Sequence, residues 1–471
     1  MIEVPGELKK LAEIFRKNGY KLYAVGGFVR DSLLGVKNSK GEDFDICSKA
    51  TPEVIEKMLY KTEFKLEPLS KELGVLKILG ENKYEHATFR RETYTNSSHI
   101  PTKVEFIQSL KEDAERRDFK INSIYYDILS EEVIDPLGGE EDIKNKTITT
   151  TKDPRLVFDD DPERVLRLIR LSCSLGFTIK EEELEFAKKF AENIVYISRG
   201  RVRKEFQKML VADTFYPEIE ETKGAHIKAI EMLEDFGILQ YIFPLLHEAN
   251  TSNKYNYNGK KYYAYILNHL KKAKPSIRLA LIFFDFTRLK ESKNQKKDFD
   301  KKAFVKKIVE ENIGEKVTNF PAQTKSKVIK TVLGYDFYKT LFMTNKKIRR
   351  FVFDNYDALN DIIELKSFVH LPEKEDKKRV LSIQILKETK REMENEKVIF
   401  DKEDLNITGK EVIREFPKIK LELLSEFMTE IAGKMAETQT KNDKETIIVT
   451  GNKVINSKRD YWLDKWFWFQ F

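Results

Sequence analysis

The chain has 471 residues, which is enough for two to four domains with sizeable cores. Two cysteines, Cys47 and Cys173, and a start without signal-peptide character argue against a disulfide framework and predict a cytoplasmic protein. No run of about 18 apolar residues occurs, so we expect no membrane span. The 85 lysines and arginines exceed the 78 aspartates and glutamates, and the net charge of +7 is a modest basic excess that fits weak polyanion binding without requiring it.

The first 150 residues mix helix and strand patterns. Apolar spacing predicts helices at residues 8–18 and 28–34 and strands at 21–25, 44–47, 74–79, 83–88 and 104–107. A turn sequence occupies residues 135–139, and helical spacing then dominates, as at residues 162–175, 227–241, 277–286 and 421–436. The lysine-rich segment 286–330 favours a solvated helical face over an RNA contact. The pattern indicates an α/β head followed by a long helical remainder.

A glycine pair, Gly26 and Gly27, lies between a predicted strand and a predicted helix. A turn of this kind can bring backbone N–H groups close to a phosphate. Arg30 follows on the first helical turn, where its guanidinium can bind the same anion. A Gly-Gly pair alone is more often only a tight turn, so further residues must support a phosphate site.

Carboxylates on two predicted strands supply that support. Asp43 and Asp45 are two residues apart, and strand residues with this spacing point to the same face. Two like charges held close together raise each other's pKa unless a cation neutralises them. Mg²⁺ is a hard ion that suits carboxylate and phosphate oxygens. Glu85, on a later strand, is a candidate for the third carboxylate of such a site.

Three arginines recur at every third position of the predicted helix 162–175. Arg164, Arg167 and Arg170 therefore lie along one helix face. Their charges repel one another unless an anion joins them. In an arbitrary helix a solvated or salt-bridged face would be the better interpretation, but beside the head motifs this face favours ligand binding.

These motifs together resemble the class II tRNA nucleotidyltransferase and bacterial poly(A) polymerase family. The resemblance is close over the first 215 residues and looser beyond. It rests on the following segments: residues 26–31 (Gly-Gly-Phe-Val-Arg-Asp) with 43–45 (Asp-Phe-Asp), 116–122 (Arg-Arg-Asp-Phe-Lys-Ile-Asn), 135–139 (Asp-Pro-Leu-Gly-Gly), 160–170 (Asp-Asp-Pro-Glu-Arg-Val-Leu-Arg-Leu-Ile-Arg) and, more weakly, 198–210 and 405–410.

The resemblance implies an α+β chain with a polymerase-β-like nucleotidyltransferase head and all-α neck, body and tail domains. The implied bounds are 1–150 for the catalytic head, 151–215 for the nucleotide-selecting neck, 216–370 for the body and 371–471 for the tRNA-binding tail. Asp43 and Asp45 would bind Mg²⁺, with Glu85 as the third catalytic carboxylate. The implied nucleotide-binding residues are Gly26, Gly27, Arg30, Arg117, Asp118, Asn122, Asp161, Arg164, Arg167 and Arg170.

In the family, protein side chains replace a template. Asp161 and Arg164 would pair with the base edge, because a carboxylate accepts from an exocyclic amine and a guanidinium donates to a ring nitrogen or carbonyl. Cytosine and adenine offer that order, whereas uracil and guanine do not. The implied activity is addition of C, C and A to the 3′ end of tRNA from CTP and ATP, by a monomer or homodimer. The family's glutamate before Asp161 is Asp160 here, which we expect to be tolerated.

Two segments depart from the family pattern. Residues 94–101 have Asn96 and Ser98 where the family often carries an Asp-x-Arg loop that helps the switch from C to A. Residues 277–285 have Phe284 in place of the histidine of a His-Asp pair found in related proteins, which predicts a core helix and no metal-phosphohydrolase site.

The aromatic residues 461–471 are expected to pack on the tail.

Three alternatives remain open. A partial enzyme of the same family would add only CC or only A, and a poly(A) polymerase shares the head motifs. A non-catalytic RNA-binding relative is the third alternative. The intact Asp43, Asp45, Arg117, Asp161 and Arg164 argue against it, because a pseudoenzyme usually loses a metal carboxylate first.

Overall fold

The computed structural model describes residues 2–37, 44–94, 101–257, 260–293, 299–340 and 344–462. It divides into two compact units, one formed by Met1–Pro275 with Glu310–Phe320 and the other by Ser276–Val309 with Pro321–Phe471. Across the described ranges, no helix combines the length and apolar character that a membrane span needs.

The first unit contains a mixed sheet, which has seven strands in the described part of the chain. The strands of this unit are, in chain order, β1 Tyr23–Val25, β2 Phe44–Ser48, β3 Lys65–Ser70, β4 Val75–Leu79, β5 Lys83–Thr88, β6 Arg90–Thr93, β7 Lys103–Phe106, β8 Tyr125–Asp127, β9 Glu132–Ile134, β10 Thr147–Ile148, β11 Thr178–Ile179, β12 Asn256–Tyr257 and β13 Lys260–Lys261. The sheet order is β3-β4-β5-β2-β1-β8-β9, and β6 pairs with β7 in a separate ribbon. Within the sheet β2 and β5 run parallel, whereas the other neighbouring strands run antiparallel.

Aromatic side chains pack beneath the centre of this sheet. Tyr23 of β1 stacks on Phe89 with 5.9 Å between ring centroids, and Tyr125 of β8 meets the edges of both rings. Cys47 lies in the same cluster, where burial raises the pKa of its thiol. The core thus fixes strands β1, β2 and β8, and β2 carries Asp45 of the predicted site.

Helices cover this sheet and extend beyond it. The helices of the first unit are α1 Gly6–Lys17, α2 Gly27–Leu34, α3 Pro52–Leu59, α4 Leu110–Glu115, α5 Gly139–Lys144, α6 Pro154–Asp160, α7 Glu163–Leu175, α8 Glu181–Lys189, α9 Arg199–Met209, α10 Ala225–Asp235, α11 Leu239–Ile242, α12 Pro244–Thr251 and α13 Tyr262–Lys272. Helix α7 packs between α9 and α10 through a nearly continuous buried face. The arginines predicted to bind nucleotide are therefore carried by a helix held on two sides.

The second unit is helical throughout its described residues. Its helices are α14 Arg278–Lys293, α15 Lys301–Ile313 (whose last residues belong to the first unit), α16 Ala322–Gly334, α17 Asn345–Asp354, α18 Leu359–Phe368, α19 Glu373–Asn395, α20 Gly409–Glu415, α21 Leu424–Thr438, α22 Lys444–Ser457 and α23 Arg459–Trp462. Phe284 is 1% exposed and lies 4.6 Å from Tyr335 between ring centroids, as expected of a core helix. Trp462 packs against Phe427 of α21, whereas residues 463–471 lie outside the described part.

The sequence predicted the fold class correctly but missed several element bounds. The predicted helix 227–241 is wrong as a single element, because Gly237 adopts φ +68° and separates α10 from α11. Strands β3, β8 and β9 and helix α3 were not predicted. Strand β3 lies at the sheet edge with mostly exposed side chains, so it has little hydrophobic pattern to detect. The division into four domains at residues 150, 215 and 370 stays a prediction.

Candidate active site

A cleft of about 960 Å³ opens in the first unit, between the sheet, α2 and α7. Each predicted site residue that the structure describes lies on its wall: Gly26, Gly27, Arg30, Asp45, Glu85, Arg117, Asp118, Asn122, Asp161, Arg164, Arg167 and Arg170. Asp43 lies outside the described residues. The structure thus brings together residues from five separate segments, and their individual roles stay predictions.

Asp45 and Glu85 are neighbours across the parallel strand pair. They are directly opposite each other in the register of β2 and β5, and both side chains are exposed to the cleft. The residues on either side of Asp45, Phe44 and Ile46, are buried. This alternation follows from the two-residue period of a strand and turns both carboxylates to the same face.

The glycine turn approaches one of these carboxylates closely. Gly26 has φ +81°, and a Cβ built on it would lie 3.1 Å from Oδ2 of Asp45. A side chain at this position would be strained by the backbone conformation and would crowd the carboxylate. Glycine therefore lets the turn before α2 lie against the acidic pair, which is where a phosphate bound to a cation would lie.

The donor set fits a divalent cation. Two carboxylates converge at the mouth of the cleft, and oxygen donors of this kind suit a hard ion such as Mg²⁺. Among the described residues, no group of three or more metal-binding side chains is assembled. Asp43, the other predicted ligand, is two positions before Asp45, outside those residues.

Arg30 is fixed at the base of the cleft. Its side chain is 5% exposed and donates from Nε and Nη2 to Oδ1 of Asp31, at 2.9 and 2.6 Å. Nη1 donates to Oδ1 of Asn122 at 2.7 Å. Burial opposes the charge, but the nearby Asp31 carboxylate and Tyr216 raise the pKa of Arg30 above its ordinary value. A fixed, permanent positive charge therefore faces the glycine turn.

Arg117 is oriented by a buried carboxylate that sequence reasoning missed. Asp113 is fully buried and accepts from Nη2 of Arg117 at 3.2 Å, Nε of Arg116 at 2.8 Å and the hydroxyl of Tyr125 at 2.7 Å. Burial alone would raise the pKa of Asp113, but the charges of Arg116 and Arg117 lower it to about 2. The guanidinium of Arg117 also lies over the Tyr125 ring, 5.4 Å from its centroid.

The three arginines of α7 are each bound by protein acceptors. Arg164 donates from Nη2 to the backbone oxygen of Arg116 at 2.8 Å. Arg167 donates from Nε to Oδ2 of Asp118 at 2.7 Å, and Arg170 donates from Nε to Oε2 of Glu205 at 2.6 Å. Carboxylates therefore already pair with Arg167 and Arg170, so charge repulsion alone does not require a bound anion, and ligand binding by this face stays a prediction.

Asp118 and Glu205 are the carboxylates that pair with Arg167 and Arg170, respectively. Burial would raise the pKa of the Asp118 carboxyl, but Arg167 lowers it to about 2. Glu205 of α9 is 2% exposed, and Arg170 lowers the pKa of its carboxyl to about 2 against the same burial effect. The arginines are therefore prepositioned in the cleft before any ligand enters.

Asp161 lies between α6 and α7 and accepts a hydrogen bond from the first residue of α7. Its Oδ1 accepts the backbone N–H of Glu163 at 3.0 Å, and only 9% of the residue is exposed. Oδ2 lies 3.9 Å from Nη2 of Arg201, whose Nε pairs with Glu163 at 2.5 Å. The helix begins at Glu163, one residue after the predicted start, and Pro162 occupies the N-cap.

Helix α9 contributes more to the cleft than its weak motif indicated. Arg201 and Lys208 line the cleft, and Glu205 supports Arg170 from behind. The resemblance over residues 198–210 pointed to this segment but to none of these side chains. Tyr216, which follows α9 in the chain, also lines the cleft and was not predicted.

Part of the first unit matches a known family model. Residues 22–149 match the family model described as the poly A polymerase head domain. A Bacillus stearothermophilus CCA-adding enzyme, solved in complex with CTP, aligns over 97% of this chain and 100% of its own with a TM-score of 0.53 and 19% identity, a likeness that shows the fold. The predicted α+β fold class is thereby confirmed.

Curated proteins that are similar to this chain in sequence are named CCA-adding enzymes. The CCA-adding enzyme of Bacillus pumilus (strain SAFR-032) is 40% identical over 195 residues, which are 41% of this chain and 47% of that protein. The CCA-adding enzyme of Enterococcus faecalis (strain ATCC 700802 / V583) is 37% identical over 212 residues, 44% of this chain and 50% of that protein. The chain spans about half the length of these curated relatives, and the resemblance predicted from the head and neck motifs is confirmed.

Proposed function

We propose that this protein is a tRNA nucleotidyltransferase that adds C, C and A to the 3′ end of tRNA, using CTP and ATP. The observation that carries the proposal is the composition of the cleft. Asp45 and Glu85 meet beside the Gly26 turn, and Asp161 and Arg164 line the same cavity. On this proposal, a site for phosphoryl chemistry and a base-reading pair would lie in one cavity.

The acidic pair would hold Mg²⁺. Asp45 and Glu85, with Asp43 as the further ligand, supply oxygen donors of the type this ion prefers. When bound, the ion would lower the pKa of the RNA 3′-hydroxyl and neutralise charge on the triphosphate. The protein's own part is to hold these carboxylates in register on two adjacent strands, so that attacking and leaving oxygens are aligned.

Positive and dipolar groups around the pair would bind the triphosphate. The backbone of Gly26 and Gly27 opens α2, where N–H groups point toward an anion. Arg30, Arg117 and Arg167 are each fixed by buried acceptors, and rigid donors stabilise developing charge without reorganisation. Arg170, Asp118 and Asn122 complete the proposed nucleotide-binding set by direct contact or by holding its arginines.

Base choice would rest on Asp161 and Arg164. The N4 amine of cytosine and the N6 amine of adenine donate to a carboxylate, and the adjacent ring nitrogen accepts from a guanidinium. Uracil and guanine present the reverse order. Both side chains are buried and tied to the protein, Asp161 by the N–H of Glu163 and Arg164 by the oxygen of Arg116. A rigid pair of this kind discriminates by leaving the wrong base unpaired.

The alternative functions differ in how many nucleotides are added and in which order. The loop in which the family carries its Asp-x-Arg pair corresponds here to residues 94–101, of which 95–100 lie outside the described residues. Addition of CC alone, of A alone, or of a poly(A) tail uses the same head motifs. The relatives' name, CCA-adding enzyme, favours the complete sequence.

A stepwise incorporation assay tests the proposal. tRNA transcripts ending before C, after C and after CC are each incubated with one nucleoside triphosphate and Mg²⁺, and products are resolved on sequencing gels. The proposal expects C addition to the first two transcripts, A addition to the third and no addition of U or G. Extension of unrelated RNA by many A residues would favour a poly(A) polymerase, and failure of all transcripts would contradict the proposal.

The remaining assignments follow from the same proposal. The tail of residues 371–471 would bind tRNA, the protein would act in the cytoplasm, and it would be a monomer or a homodimer. Footprinting of tRNA and sedimentation analysis would test the first and the last of these.

A further inference from the structure

Tyr216 lies on the wall of the cleft with its hydroxyl directed at α2. The residue is 3% exposed, and its hydroxyl accepts from Nη2 of Arg30 at 2.8 Å. The same hydroxyl donates to Oδ2 of Asp31 at 2.9 Å. Both contacts join chain positions more than 180 residues apart, so a single phenol ties the segment after α9 to the glycine turn.

These contacts continue across the cleft as one path of hydrogen bonds. Arg30 donates to Asn122, and Asn122 donates from Nδ2 to Oδ1 of Asp118 at 3.3 Å. Oδ2 of Asp118 accepts from Nε of Arg167 at 2.7 Å. The path therefore links Tyr216 to both a head arginine and a neck arginine that are proposed to bind the triphosphate.

The donor count of Arg30 explains what the hydroxyl does. A guanidinium has five N–H donors in one plane. In the described structure Asp31 takes two, Asn122 takes one and Tyr216 takes one. Nη1 has one further N–H, and Arg30 lines the cleft. Without the hydroxyl, Nη2 would have a second uncommitted N–H, and the plane would be held by fewer contacts.

We propose that Tyr216 is a positioning residue of the nucleotide site, whose hydroxyl fixes the guanidinium plane of Arg30 so that its remaining N–H meets the triphosphate. This inference rests on the proposed function of the same cleft. Tyr216 acts through Arg30 and does not read the base, so its contribution is the same for every nucleotide. It also joins the segment after α9 to α2, because the hydroxyl follows α9 in the chain and its partners lie in α2.

Tyr216→Phe tests the proposal by removing the hydroxyl and keeping the ring. Because the hydroxyl acts on the triphosphate only through Arg30, its loss should raise KM for both CTP and ATP by about 3- to 10-fold, which is about 0.7–1.4 kcal/mol at tenfold per 1.4 kcal/mol. The turnover number and the discrimination against UTP and GTP should stay within about twofold of wild type. Tyr126→Phe is the matched control, because Tyr126 is 2% exposed and donates its hydroxyl to the oxygen of Ile2, away from the cleft.

A double-mutant cycle separates positioning from general stabilisation. If Tyr216 acts through Arg30, Tyr216→Phe should have little further effect on KM in an Arg30→Lys protein, which no longer has the planar guanidinium. A purely structural role would lower the melting temperature and give additive effects in the cycle. If Tyr216→Phe does not fold, Asp31→Asn weakens the other support of Arg30 and should raise KM in the same way.

Isothermal titration of CTP into the same proteins keeps this inference distinct from the proposed function. Wild-type protein that binds CTP but transfers no nucleotide would contradict the proposed function alone. Equal CTP affinity and equal KM in wild type and Tyr216→Phe would overturn the positioning role. Weaker CTP binding in Tyr216→Phe, with Tyr126→Phe unchanged, would support it whether or not transfer occurs.

Discussion

Base selection can be tested by changing the charge of Asp161 without removing its hydrogen bond to the start of α7. Asp161→Ala would remove the acceptor for the N–H of Glu163, and loss of such a hydrogen bond costs roughly 1 kcal/mol of stability. Asp161→Asn keeps an oxygen for that N–H. It replaces the other oxygen, Oδ2, by an NH₂ group.

The magnitude follows from the way the two oxygens of Asp161 are used. Oδ1 is occupied by the backbone of Glu163, which leaves Oδ2 for the base amine, with Arg201 3.9 Å away. In Asp161→Asn a donor faces the donor of cytosine or adenine, and the unmade hydrogen bond costs roughly 1–3 kcal/mol. Incorporation of C and A should fall by about 5- to 150-fold, taking tenfold per 1.4 kcal/mol. The O4 of uracil can accept from the new NH₂, so discrimination against UTP should relax.

Single-nucleotide incorporation with each of the four triphosphates measures this effect. kcat/KM for the Asp161→Asn protein is compared with wild type and with Glu182→Gln, an exposed charge change on α8 that lies outside the cleft lining. An equal decrease for all four nucleotides would refute the reasoning. It would mean that Asp161 supports the helix or the phosphates and that base selection lies elsewhere.

Three further results are expected from the same structure. Asp45→Asn should lower nucleotide transfer by about 1,000-fold or more with an unchanged circular dichroism spectrum, while Glu67→Gln on exposed strand β3 keeps activity. Glu205→Gln should lower the melting temperature at pH 7. The difference in melting temperature between wild type and Glu205→Gln should shrink as the pH falls from 4.5 toward 2. The reason is that the pKa of Glu205 is depressed in the folded protein, so the stability that its carboxylate provides is lost when it is protonated. A constant difference over this pH range would contradict the assignment. Since Phe284 and Asp285 are buried, no metal-dependent phosphatase activity should survive Asp45→Asn.

The sequence predicted the residues of the site that belong to local motifs. Short sequence patterns predict where these residues lie: a turn for Gly26, the two-residue period of a strand for Asp45 and one face of a helix for Arg167. The parallel pairing that sets Glu85 beside Asp45 lies outside any such pattern, since it joins strands 40 residues apart in the chain. Glu85 was assigned from the family resemblance and from its strand, without that register.

The supporting residues could not be predicted for a related reason. Glu205 and Tyr216 act on arginines that reach them only after folding, and the hydroxyl of Tyr216 meets Asp31 across 185 positions of sequence. Asp113 is different, because it stands four positions before Arg117, a helical spacing that the sequence does show. A lone buried carboxylate or phenol has no sequence signature of its own. The charge argument for α7 was incomplete for the same reason, because it did not include the carboxylates of Asp118 and Glu205.

The parallel pairing of β2 with β5 has a consequence for how this head tolerates changes in length. Because consecutive strand residues alternate between faces, one inserted residue before Glu85 within β5 would turn that carboxylate into the core and His86 toward the cleft. An insertion of the same size at residues 80–82, in the turn between β4 and β5, leaves both strands intact. Gain or loss of single residues should therefore accumulate in the turns of this domain during divergence, while the strand segments around Asp45 and Glu85 keep a fixed length.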